Sequence, residues 1–178
     1  MLLEELNNLI TVLGIPTAIF TAWKAIDEFK NGNKEKEREN RHKQAEAARD
    51  ILKDLFESEK SRNAMKMLDW DGRKYGLDEW NDDDWYTIRF RDVKNALRIE
   101  ELSFEDKECF IRDCFEDLFD KLELIQHYIN IDFLNFEDVK IPLRYYAEII
   151  KGKLDEFEPF LDEYGYPNAK RLILNASS

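Results

Sequence analysis

Residues 85–98, WYTIRFRDVKNALR, set four cations against a single acid: Arg89, Arg91, Lys94 and Arg98 are opposed only by Asp92. On a helix, Arg91, Lys94 and Arg98 fall at i, i+3 and i+7 and share a face, with Trp85, Tyr86 and Phe90 close by. Guanidinium forks beside aromatic rings hold phosphates and stack bases. An anionic ligand would therefore be expected at Arg89, Arg91, Lys94, Arg98, Trp85 and Tyr86. The competing reading is that these cations pair with acids on neighbouring helices.

Other chemistry is sparse. The sequence has no G-x-S-x-G, P-loop, H-E-x-x-H or glycine-rich nucleotide fingerprint, and only six glycines in all. Cys109 and Cys114 lie five apart in one predicted helix, where they cannot be bridged, and read as reduced core residues. His42 and His127 fall in different segments, so no His/Cys cluster has metal-ligand spacing. Asp69, Asp71 and Gly72 resemble the start of a calcium loop, but the glycine comes two positions early and the bidentate Glu is missing. No catalytic residue, cofactor or metal is expected, and the chain reads as a non-enzyme.

The formal charge of −12 over 178 residues is uneven: residues 1–43 carry seven cations and seven anions, so the whole deficit lies in 44–178. An acidic body disfavours non-specific nucleic-acid binding. Residues 34–58 begin as a charged rod and acquire an apolar stripe at Ala48, Ile51, Leu52 and Leu55. Ser61 is placed to cap a short helix carrying Ala64, Met65, Leu68 and Trp70. Residues 69–84, with Gly72 and Gly76, read as a loop, and Asp82, Asp83 and Asp84 as the acidic start of a helix over 85–101. The broadest apolar face runs through residues 104–130, at Phe110, Cys114, Leu118, Leu122, Ile125 and Ile129, widened by Ile111 and Phe115. Asn135 caps the next helix, which Pro142 should kink or break; Pro159 marks a later bend, and Asn168 caps the last helix. With no convincing strand, the body is expected to be an all-α bundle.

In front of this body lies LNNLITVLGIPTAIFTAW, residues 6–23, without a charge in a chain that is 37% charged. Residues 9–26 as a helix would cover roughly 27 Å, near the thickness of a bilayer core. Trp23 sits at the boundary, and Lys24, Lys30, Lys34, Lys36, Arg38, Arg41 and Lys43 all follow it. By the positive-inside tendency the N-terminus faces out and the body lies in the cytoplasm, giving a single-pass protein of the bacterial inner membrane. Gly14, Ala18 and Ala22 form a small-residue ridge, and Thr11, Thr17 and Thr21 add hydroxyls, a face suited to packing against other copies. The organisation expected is an anchor over 1–28, a charged helical stalk over 29–60 and a cytoplasmic all-helical domain over 61–178.

LITVLGIPTAIFTAW followed by KEKERENRHKQ resembles the anchors of short bacterial membrane proteins. ARDILKDLF, CFEDLFDKLELIQHYI, IPLRYYAEII and YGYPNAKRLI resemble a bacterial helical family known as a domain of unknown function, over most of residues 9–174. The general build is similar to membrane effectors of anti-phage defence, such as the channel subunit of the Hailong system. That resemblance implies a homo-oligomeric ion channel gated by its cytoplasmic helical domain in response to a nucleotide or short oligonucleotide signal. The partners expected are membrane lipid, further copies of the chain and that signal. A non-conducting tethered scaffold for a protein partner, or a wholly soluble helical interaction protein, are the alternatives.

Overall fold

A computed structural model describes residue 24 and residues 32–81, 84–99 and 103–178. The expected anchor residues Thr11, Gly14, Thr17, Ala18, Thr21 and Ala22, and the Asp82 and Asp83 of the acidic run, lie outside the described residues. No helix among the described residues is long and apolar enough to cross a membrane. Contacts divide the chain after Lys43. Residues 32–43 are helical and exposed throughout, as the charged rod predicts, with Lys43 paired to Glu39 at 2.6 Å.

The unit Gln44–Ser178 is mostly helical, in agreement with the all-α expectation. Its elements begin with the remainder of the first helix (α1, 32–57), followed by α2 (Glu59–Asp69), β1 (Arg73–Tyr75), β2 (Tyr86–Ile88) and α3 (Phe90–Ala96). Then come α4 (Asp106–Asn130), α5 (Phe136–Gly152), α6 (Leu154–Glu163) and α7 (Pro167–Ala176). The stripe of α1 joins the core through Ala48, Leu52 and Leu55, so residues 44–57 pack with the body. Helix α4 is the centre, touching α2, α3 and α7. Its predicted stripe is buried from Phe110 to Ile125, and Phe115 and Phe119 meet Phe157 of α6 at ring separations of 5.7 and 6.2 Å. Such ring clusters bury large apolar area in few residues.

The structure corrects the reading of 85–101 as helix. Tyr86–Ile88 is a strand, antiparallel to Arg73–Tyr75 in the register Arg73↔Ile88, Lys74↔Thr87, Tyr75↔Tyr86. The alternation of Tyr86 and Ile88 prevails because Arg73–Tyr75 lies alongside as a partner strand, and the Gly72 N–H donates to the Ile88 carbonyl at 2.9 Å. Only from Phe90 does the helical spacing take over. Helices α5 and α6 run through Pro142 and Pro159 without ending.

Helix starts differ in a consistent way. Asn135 caps α5 as expected, its Oδ1 accepting the Glu137 N–H at 2.9 Å. The other expected caps are displaced. Helix α2 is capped by Ser58 rather than Ser61, and the Asp117 carboxylate of α4 accepts the Ser61 N–H at 3.1 Å. Helix α7 starts at Pro167 with no side-chain cap of its own; Glu123 of α4 accepts the N–H groups of Asn168 and Ala169, both at 2.8 Å. At α3, Asp71 accepts the Phe90 N–H at 2.7 Å. Helix N-termini thus draw carboxylates from elsewhere in the fold, where the unpaired N–H groups and the dipole favour them.

Candidate functional site

The segment 85–98 does not hold its cations together. Arg98 donates to both Glu108 oxygens, at 2.5 and 3.1 Å, and lies over the Phe104 ring at 4.6 Å. The Arg98 bond holds the Glu108 carboxyl below the usual range, against the desolvation that would raise it. Lys94 lies 3.5 Å from Glu156. Arg89 and Arg91 are exposed at the start of α3, where the Arg89 backbone N–H donates to Asp92 at 2.9 Å. Asp92 in turn takes Lys107 at 2.7 Å. Tyr86 joins Trp80 and Phe110, each ring 5.8 Å away. Pairing with neighbouring acids therefore accounts for Arg98 and Lys94.

Trp85 goes elsewhere. It packs over Gly76 so closely that a Cβ there would sit 2.4 Å from the indole Cδ1. Gly76 is fixed from the other side by Asn63, whose Nδ2 donates to its carbonyl at 2.8 Å. This contact closes a cleft of about 140 Å³ between α2, β1 and the loop after β1. Glu59, Arg62, Asn63 and Lys66, at i, i+3, i+4 and i+7 of α2, form one wall. Arg73 and Lys74 of β1 form another, with Trp70 beneath the Arg73 guanidinium at 3.8 Å. The buried Tyr75 hydroxyl ties the two together, donating to the carbonyls of Lys66 and Trp70 at 3.0 and 2.9 Å.

The cleft thus collects Arg62, Lys66, Arg73 and Lys74 against Glu59 and Asp78, in a chain of net charge −12. Sequence reasoning missed it because residues 69–84 read as a loop, and each of these cations stands near an acid in the chain. The available signal was the i, i+4 pair Arg62 and Lys66 followed by the Arg73-Lys74 dipeptide.

A second surface lies between α1 and α4. Ala47, Ile51, Leu124, Tyr128 and Phe133 line a groove of about 500 Å³, rimmed by the Asp54–Lys121 pair at 2.6 Å. Leu124 and Phe133 are 46% and 49% exposed. Cys114 is buried on α4 and its thiol is pushed up to about 12 by that burial, whereas Cys109 is exposed.

No protein-family model matches the chain, no curated protein matches its sequence, and no solved structure matches its fold.

Proposed function

We propose that this chain is a single-pass, homo-oligomeric membrane effector whose helical body recognises a signal and transforms no substrate. The observation that carries the reading is the uncharged run 6–23, flanked on its C-terminal side alone by Lys and Arg. Such a run is the mark of a membrane helix, and the cation bias orients it with the body in the cytoplasm. The body is built for packing and recognition: its Cys114 is locked as a thiol, and its acids Asp71, Asp117 and Glu123 are engaged at helix ends. The resemblance to defence effectors adds ion conduction as the output. Fractionation of untagged protein tests the tether: it stays in the pellet after a carbonate wash, and recovery in the supernatant without detergent would overturn the reading. Ion flux through liposomes carrying the purified chain tests the output.

One observation favours a second reading, a non-conducting tethered scaffold. The exposed Leu124 and Phe133, with the half-buried Tyr128 between them, form a surface beside α1 that suits an apolar partner face. Membrane retention without ion flux would select it.

A further inference from the structure

The polar groups of the cleft between α2 and β1 divide into spent and unspent. Its acceptors are engaged: the Gly76 carbonyl by Asn63, those of Lys66 and Trp70 by Tyr75, Glu59 by the Asp78 N–H, and Asp78 by Arg62 at 3.6 Å. The acids just outside it are engaged too, Asp69 by the Tyr145 hydroxyl and Asp71 by the Phe90 N–H. What remains is dominated by cationic donors. Among the described residues Lys66 and Lys74 have no carboxylate partner, and Arg73 is stacked on Trp70 with its N–H fork unpaired. The Trp85 Nε1–H is buried and has no acceptor among the described residues.

A wall of unspent donors is complementary to a ligand that only accepts. Four cations and two acids line the cleft, with Asp69 and Asp71 just outside it. Its volume of about 140 Å³ is below the roughly 300 Å³ of sites that enclose a whole drug-sized molecule. It fits an anionic group, with the rest of the ligand outside.

We propose that this cleft binds the phosphate group of a phosphorylated small molecule, with Lys66 and Lys74 as point charges and Arg73 as the fork. A phosphate dianion answers the unpaired Lys66 and Lys74 and offers more acceptor sites than a carboxylate. The proposal does not depend on the membrane tether: it concerns the folded body and is tested by equilibrium binding, whereas the tether is tested by fractionation. Two sources present this chemistry, a soluble nucleotide and a phospholipid headgroup.

The test is calorimetric titration of the full chain in a non-ionic detergent with inorganic pyrophosphate, ATP, short-chain dihexanoyl phosphatidic acid and, as the carboxylate control, citrate. Saturable binding of pyrophosphate is expected, weakened about tenfold or more in Lys66→Gln/Lys74→Gln and also in Arg73→Gln, which loses the fork. Lys151→Gln, an exposed cation elsewhere on α5, should leave affinity unchanged. Tighter binding of ATP than of dihexanoyl phosphatidic acid identifies a nucleotide source, and the reverse order a headgroup. The proposal is overturned if no phosphate probe binds saturably, if citrate binds as well as pyrophosphate, or if Lys151→Gln weakens binding as much as the cleft variants. None of the three cations is buried, so their variants should fold and the comparison decides the matter.

Discussion

Asp117 joins two helices through one carboxylate, and removing it should cost the body a large part of its stability. Its Oδ2 accepts the Ser61 N–H at 3.1 Å and the hydroxyls of Ser58 and Ser61, each at 2.6 Å. A hydrogen bond to a charged group contributes about 1.5–3 kcal/mol, and loss of a helix cap about 0.5–2 kcal/mol. The hydroxyls can turn to water at this half-buried site, and Ser58 Oγ still accepts the Ser61 N–H at 3.4 Å, so only part of the gross sum is lost. Asp117→Ala should therefore destabilise by about 2–3 kcal/mol. Asp117→Asn, which keeps an acceptor without the charge, should cost about 1 kcal/mol. Against total stabilities of about 5–15 kcal/mol this is readily measured by denaturant unfolding followed by circular dichroism. The effect has a defined pH window. Burial alone would raise the Asp117 carboxyl, but the Ser58 and Ser61 bonds outweigh it and hold the group below its ordinary value. Its contribution is thus fully present above the unfolded value of about 3.9 and fades as pH falls through the lower folded value. The wild-type advantage over Asp117→Ala should shrink in that interval. A difference below about 0.5 kcal/mol at pH 7 would show that the Ser58 cap suffices, and the reasoning about α4 would fail.

Three further outcomes follow from the same geometry. Gly76→Ala drives a methyl into the Trp85 indole, 2.4 Å from Cδ1, and should shift Trp fluorescence and near-ultraviolet circular dichroism while the far-ultraviolet spectrum holds; unchanged spectra would place Trp85 elsewhere. A thiol reagent at neutral pH should modify one cysteine of the folded chain, the exposed Cys109, with Cys114 reacting only on unfolding because its thiol is pushed up to about 12. Two fast-reacting thiols would contradict the burial of α4. For the proposed tether, Gly14→Leu or Ala18→Leu should lower the oligomeric order in detergent without loss of helix content; an undiminished oligomer by mass measurement would move assembly to the body.

The helices of the body were readable in the chain because amphipathic spacing is local: residues three and four apart share a face whatever lies around them. The stripe Phe110 to Ile125 and the Asn135 cap needed no more than that. The strands were less legible, since three-residue alternation competes with helical spacing in the same segment and only the partner strand decides. The placement of the charges depended wholly on tertiary structure. Asp117 lies 56 residues from the N–H it caps, Glu123 lies 45 from Asn168, and Asp71 lies 19 from Phe90. Exposed ion pairs differ little in energy from one another, so a chain with 39 acids and 27 cations leaves many pairings nearly equal. Docking α4 against α2 and α7 made the choice for Asp117 and Glu123, and the pairing of β1 with β2 made it for Asp71, because there unpaired helix N–H groups come within reach of those carboxylates. For the same reason Arg98, which belongs by sequence to the most basic segment, is taken up by Glu108. The unspent cations instead gather at Trp85, where the return of β2 beside β1 brings them together.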